Sequence, residues 1–538
     1  MGYESRTNHA QLVIFDRGGH IRTVMINQPQ ITMGRASGSS TCDVQLNSAL
    51  VSGKHGTFTY YNNEYYYTDE VNTNGTFLNG HKIKKDPGKP SSAHKLRDGD
   101  ILTVGVNDVT GEKTVYVIFT LSTGMDHVWN AYSLQSFNKK IKIGRASDTS
   151  DIVIHQPSVS RNHAIISIDA QGNATLTDCK SHNGTILNGS LIKSGSTVPF
   201  KEFDKITIGS TKIFNLKTAV VYNSSKPASV VDVYNKPETV YKSVYIEDRP
   251  VVDVPVKREI VPVNEHARRG GVELRVEDVS KLVPCKKGTG INGGDKKYIL
   301  QNVSLTIYPG DLVAILGGSG AGKTTLMNAI NGFEPGTSGS VYINGDDLYK
   351  NYSAYKSQIG YVPQQDIVYD NLTMVDMLTY VAKLRLPGDV TKQEIMQRVD
   401  EVLKAMALEK QRDTMIKKLS GGQRKRASIA VELISDPSLF FLDEPTSGLD
   451  PEAETNLMKQ LQMLAAQRGK TIVVITHTLQ NIHLFDKVIF MAPGGKLCYY
   501  GSPENAKKFF GVDNLADAYE KISQDVDGYV NRFRQQRF

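Results

Sequence analysis

Cysteine is scarce: Cys42, Cys179, Cys285 and Cys498 are the only four in 538 residues. None forms a C-x-x-C pair, so neither a metal site nor a disulfide framework is indicated, and reduced cytoplasmic thiols are the expectation. Long apolar runs are missing too. No stretch approaches the roughly 18 residues of a membrane-spanning helix, so a span, if the protein works at a membrane, lies elsewhere. The opening "MGYESRTNHA" lacks the apolar core of a signal peptide, and Gly2 with Arg6 and Thr7 matches a myristoylation pattern only loosely. Neither sign of charge dominates. Lys and Arg number 63 against 56 Asp and Glu, a net +7 that fits weak attraction to anionic surfaces or phosphorylated partners and does not indicate nucleic acid.

What is present describes a soluble globular chain, 39% hydrophobic and 22% charged. Its length divides into about three domains. Residues 1–222 are rich in short strand-like segments such as "QLVIFD", "GTFTYY", "EYYYTDE" and "VYVIFTL", bounded by Gly, Asn, Asp and Ser turns. They also repeat. Arg35 corresponds to Arg145, His55 to His163 and Asn74 to Asn183, at offsets of 110, 108 and 109, which predicts two β-sandwiches. From Asn223 to Arg269 the chain is dense in Pro and Val and reads as an extended linker, or as an edge strand docked on a neighbouring domain. After Gly270 buried-strand runs ("DLVAILG", "LFFLDE", "TIVVITH") alternate with helical segments, an α/β pattern. One helix is announced by the capping-box pair Thr391 and Glu394, with Ile395, Val399, Val402, Leu403 and Met406 on its apolar face.

The segment Gly317-Gly318-Ser319-Gly320-Ala321-Gly322-Lys323-Thr324-Thr325 follows an apolar strand and matches G-x-x-x-x-G-K-[ST]. Backbone N–H groups must curl around phosphates, so residues at the turn must be small. Lys323 can reach the β- and γ-phosphates of ATP, and the Thr324 hydroxyl can bind Mg²⁺ at the positive end of the following helix. Downstream, "LFFLDEPTSGLDP" ends a strand in two acids. Asp443 is the expected Mg²⁺ partner and Glu444 the expected general base acting on water.

With "LSGGQRKR" between them, the region Val272–Gly511 resembles the ATP-binding cassette (ABC) ATPases. The resemblance implies further roles. Tyr298 would stack on adenine, and Gln364 would serve catalysis, Mg²⁺ and contact with a transmembrane partner. Ser420 and Gly422 would cap ATP held by the opposite subunit. Asp450 would be the nucleotide-binding aspartate of the D-loop, and His477 would be the switch histidine. It also implies head-to-tail pairing, because one chain supplies one phosphate loop and one signature. "SGAGKTTLMNAINGFEP" and "LCYYGSPENAKKFF" resemble the G-type exporters in particular.

The two β-repeats resemble the forkhead-associated (FHA) domain, an eleven-stranded sandwich that binds phosphothreonine through its loops. By that resemblance the phosphopeptide site of the first copy holds Arg35, Ser52, Thr73 and Asn74, and that of the second Arg145, Ser160, Arg161 and Asn183. A guanidinium fork suits phosphate oxygens. The asparagines would hold the peptide backbone, and His55 and His163 would brace the loops. Where the second copy offers Arg161 the first has Gly53, leaving Arg35 with Lys54 for help, while the first keeps Thr73 where the second has His182.

The expected architecture is therefore two all-β FHA-like sandwiches (1–122 and 123–222), a Pro/Val-rich linker (223–269) and an α/β P-loop NTPase domain with a helical subdomain and C-terminal tail (270–538). The expected function is ATP hydrolysis powering an exporter-type transporter, at the inner face of the cell membrane, with ATP and Mg²⁺ as ligands. Expected partners are a second copy or homologous cassette, a transmembrane permease domain or subunit, and a phosphothreonine protein or Ser/Thr kinase, with Thr239 of the linker as one candidate phosphosite. A soluble signalling adaptor that uses the cassette as a dimerisation switch is the alternative. Cassette proteins of DNA repair or translation fit poorly, since neither a long coiled coil nor a second cassette is visible. The transported substrate is not readable from this chain.

Overall fold

The computed structural model describes residues 10–16, 21–26, 28–35, 42–46, 48, 50–61, 64–70, 72, 74–86, 88–105, 115–121, 128–135, 138–224, 272–286 and 295–537. Residues 225–269 of the expected linker, with Thr239, the N-terminal Gly2, Arg6 and Thr7, and the candidate ligand Thr73 lie outside them, whereas Asn223 and Ser224 end the strand Ala219–Ser224.

Each repeat is a sandwich of a six-stranded and a five-stranded sheet, eleven strands in both cases among the described residues. Period-two alternation explains why some strands read as continuous apolar runs. In Ala10–Asp16, Leu12 and Ile14 fill the core of the first sandwich. Val13 and Phe15 point the other way, onto Trp129, Ala131, Phe214 and Val221 of the second. Val117 and Phe119 divide from Tyr116 and Ile118 in the same manner along Val115–Leu121. The two sandwiches thus share an apolar interface, where each fully buried side chain contributes about 1.5–3 kcal/mol.

The C-terminal part is built on a ten-stranded mixed sheet. Its antiparallel side contains Leu274–Pro284, Lys296–Ile307 and Ser338–Ile343. Its parallel side places Leu312–Gly317 beside Thr471–Ile475, followed by Leu439–Asp443 and Ile359–Val362. Leu312, Ala314 and Leu316 face one core, and Val313 and Ile315 the other. Nine helices are described: α1 (Lys323–Ile330), α2 (Leu348–Tyr355), α3 (Met374–Arg385), α4 (Lys392–Ala405), α5 (Gly421–Leu433), α6 (Pro451–Arg468), α7 (Pro503–Phe510), α8 (Asp517–Gln524) and α9 (Val526–Arg537). The capping box on α4 is present, and its five apolar positions are buried.

All three units meet at a buried polar junction. Lys212 of the second sandwich pairs with Asp98 of the first and reaches the Asn344 carbonyl of the sheet domain at 3.4 Å. Lys205 lies 3.4 Å from Asp346, and Ile186 joins the apolar core under α1 and α2. Beside this cluster Glu273 is buried, and burial, with Asp98 nearby, raises its carboxyl to about 7.

Candidate functional site

Parallel strands end their C-terminal edges on one line, which is where open α/β sheets collect ligand groups. Gly317 ends its strand there, and the chain turns through Gly320 (φ +73°) and Gly322 (φ +86°) before α1 begins at Lys323. A Cβ on Gly322 would sit 2.7 Å from the Ile299 carbonyl, so glycine is required for this turn and for its closeness to the neighbouring strand. Lys323 Nζ donates to the carbonyls of Gly317 (2.9 Å) and Gly318 (3.1 Å), folding the side chain back over its own loop. Burial pushes its ammonium below the ordinary range, while Glu444 and Asp443 pull it the other way.

Asp443 is the last residue of its strand. The next residue, Glu444, takes φ +48° while its N–H donates to Ile475 at 3.0 Å. That bend brings two successive acids to one side, which a continuing strand would forbid. Thr324 is hydrogen-bonded to Asp443, whose carboxyl is raised by burial and by Glu444 beside it. A hydroxyl and a buried carboxylate at the mouth of a glycine turn form an oxygen donor set of the kind hard divalent cations take. Gln364 Nε2 donates to Glu444 Oε2 at 2.9 Å, and His477 Nε2 meets the other oxygen, Oε1. Sequence reasoning missed Lys425, which holds the Gln364 carbonyl at 2.7 Å and pairs with Asp366 at 3.1 Å. Its place in the basic run after the signature was the available signal.

Ser420 is the N-cap of α5 in a capping box with Gln423, and Ser420 and Gly421 are exposed. A Cβ on Gly422 would come into van der Waals contact with Ala453, at 3.4 Å. Asp450 caps α6 through the N–H groups of Glu452 and Ala453. Tyr298 stands partly exposed on strand Lys296–Ile307.

The two sandwiches repeat one loop design. A Cβ on Gly34 would meet the Gly53 carbonyl at 1.9 Å, and one on Gly144 the Arg161 carbonyl at 1.9 Å. This close approach explains the repeated Gly-Arg. The N–H groups of Arg35 and Arg145 donate to Ser52 (2.8 Å) and Ser160 (3.0 Å). His55 and His163 each accept the N–H of that serine at 3.2 Å on Nδ1, leaving Nε2 to donate to Gly75 (3.3 Å) and Gly184 (3.0 Å). Burial lowers both imidazole pKa values, which suits these neutral roles. The amide nitrogens of Asn74 and Asn183 are engaged within the fold, donating to Leu50 (2.7 Å) and Ser158 (2.6 Å). Ser160 Oγ accepts from the His182 N–H at 3.1 Å. Lys54, expected to assist Arg35, pairs with Glu70 at 2.9 Å. The copies differ most at the arginines. Arg35 is exposed, whereas Arg145 is held by Asp389 and Glu394 of the sheet domain.

Comparison with known proteins agrees with this division. The family described as "ABC transporter" matches residues 300–447, and "FHA domain" matches 31–105 and 141–209. The ABC transporter ATP-binding/permease protein Rv1747 of Mycobacterium tuberculosis is 35% identical over 393 residues, covering 73% of this chain and 39% of that protein. ABC transporter G family member 22 of Arabidopsis thaliana is 40% identical over 44% of this chain and 32% of its own length. Protein white of Drosophila melanogaster is 37% identical over 43% and 36%. The chain thus spans well under half the length of these relatives. A solved ATP-binding cassette, dimeric and bound to ADP and Pi, is 28% identical over 43% of this chain and 98% of its own, with a TM-score of 0.37. Among the described residues no helix is long and apolar enough to cross a membrane. Residues 300–447 belong to the ABC transporter ATPase family and residues 31–105 and 141–209 to the FHA family, so this chain joins two FHA domains to an ATP-binding cassette.

Proposed function

We propose that the cassette hydrolyses ATP to drive an exporter-type transporter, and that the FHA domains recruit or regulate it by reading phosphothreonine. The observation that carries the first half is the position of Glu444, fixed between Gln364 and His477 next to the phosphate loop. In this reading the Gly317–Gly322 turn wraps the phosphates with backbone N–H groups, and Lys323 leaves its two loop carbonyls to contact the β- and γ-phosphates. Thr324 and Asp443 would hold Mg²⁺, which supplies charge neutralisation on the phosphate oxygens. Gln364, through Lys425 behind it, sets the distance of Glu444 from the attacking water. Glu444 accepts the water's proton as the oxygen attacks the γ-phosphorus, and His477 keeps the carboxylate oriented. The bond from that phosphorus to the bridging β-phosphate oxygen breaks, so that ADP leaves with its electron pair.

Ser420, exposed at the start of α5, and the partly buried Gly422 would complete a phosphate loop on a second cassette, giving a head-to-tail pair. The relatives support the transport reading, one being named as a combined ATP-binding and permease protein. A transmembrane permease domain or subunit would hold this chain at the inner membrane face. The partner for the FHA domains would be a phosphothreonine-bearing protein, a Ser/Thr kinase, or the linker itself.

Mixing tests the pairing. A Lys323→Ala chain lacks a working phosphate loop and a Ser420→Arg chain lacks a working signature, so each alone should be inactive. Mixed, they form one intact site, and phosphate release should return. A mixture as inactive as its components, beside an active native chain, would refute the head-to-tail arrangement.

A further inference from the structure

Arg145 does not face solvent. Its Nε donates to the Val159 carbonyl at 3.0 Å, its Nη2 to Asp389 Oδ1 at 3.2 Å and its Nη1 to Glu394 Oε1. Asp389 uses its second oxygen to accept the Arg161 backbone N–H at 2.7 Å. The second oxygen of Glu394 lies 3.7 Å from Arg161 Nη1. Two carboxylates therefore present oxygens to two arginines and one loop N–H, a donor set suited to a phosphate dianion. Arg145 retains 11% side-chain exposure in this arrangement.

Both acids are prepositioned. Asp389 sits in the turn between α3 and α4, where the Val390 N–H donates to Pro387 at 3.1 Å. Glu394 Oε2 also accepts the Thr391 N–H at 2.7 Å, so the residue that caps α4 docks the sandwich at the same time. Farther away Lys205 and Ile186 anchor the same sandwich to the other side of the cassette. The second sandwich thus bridges two parts of the ATPase.

We propose that Asp389 and Glu394 occupy the anion site of the second FHA domain as an intramolecular stand-in for phosphate, and that a phosphothreonine peptide binds there by displacing them. This rests on the phosphothreonine reading given above. A phosphothreonine gathers a charge of about −1.5 to −2 and three acceptor oxygens on one group, which lets it compete with a tethered carboxylate pair. Displacement frees the N-terminus of α4 while Lys205 and Ile186 keep the domain attached. The first FHA domain, with Arg35 exposed, has no such gate among the described residues.

The test uses the full dephosphorylated chain carrying Arg35→Ala, so that only the second site is read. Asp389→Asn with Glu394→Gln removes the competing charges, and glutamine can still close the capping box. Hydrogen exchange of residues 158–163 reports docking, and fluorescence polarisation with a degenerate phosphothreonine peptide library reports binding. If the docked state is about 90% populated, the double variant should exchange faster and bind about tenfold tighter than its parent. Adding Arg145→Ala should abolish that binding. Unchanged exchange in the double variant, or faster exchange with equal peptide affinity, would overturn the gate. Faster exchange with no peptide bound by either protein would overturn the phosphothreonine reading itself and the competition with it.

Discussion

Gln364 donates its amide to Glu444 at 2.9 Å, although 80 residues separate them in the chain. The contact ties the loop after strand Ile359–Val362 to the acid that would activate water. Gln364→Ala should leave ATP affinity nearly unchanged and lower turnover about a hundredfold, the lower end of what a positioned general base contributes. Steady-state phosphate release, beside binding of a fluorescent ATP analogue, separates the two effects. Loss of binding with normal turnover at saturation would contradict the assignment.

The glycine turn gives a second prediction. Gly322→Ala places a methyl group 2.7 Å from the Ile299 carbonyl at a φ of +86°. Left-handed strain alone costs about 1–3 kcal/mol, and the clash adds to it. Nucleotide binding should fall more than tenfold while the far-ultraviolet circular dichroism stays native.

The junction between the three units should be sensitive to charge removal. Lys212→Met leaves Asp98 buried without its partner, and the cost is about 3–5 kcal/mol. Lys212→Met with Asp98→Leu should recover most of that loss, because both desolvation penalties go. Trp129, the only tryptophan, lies in the interface between the sandwiches and reports it directly by fluorescence in a denaturant titration. A single variant as stable as the native chain would remove the junction from the account.

Glu273 sets a pH dependence. Burial and Asp98 raise its carboxyl to about 7, against Arg275, Lys212 and Lys95. Unfolded, it would titrate near 4.3. The native state therefore holds a proton that the unfolded state has lost, so stability falls as pH rises between those values and levels off above them. Glu273→Gln removes this loss and should stabilise the chain at pH 8 by up to about 4 kcal/mol relative to native, with little difference at pH 4. Denaturation midpoints at the two pH values decide it.

Local chemistry was legible in the sequence, and long-range pairing was not. The phosphate loop, the paired acids and the repeated Gly-Arg each demand particular residue types within a few positions, so their spacing announces them. Glu394 was legible only as a cap, because its second role needs Arg145, 249 residues earlier. The same holds for Lys212 and Asp98, 114 residues apart. Strand Ala10–Asp16 showed why a run can be apolar on both faces only once the second sandwich was in place. Asn74 and Asn183 read as peptide ligands, yet their amide nitrogens serve the neighbouring loop.

The most direct test of the account is single-turnover hydrolysis by the Glu444→Gln chain. Glutamine keeps the size of the side chain and cannot take the proton. The account predicts native ATP affinity, phosphate release slower by about a hundredfold or more, and dimers that accumulate with ATP by light scattering. Hydrolysis at the native rate by this variant would contradict it.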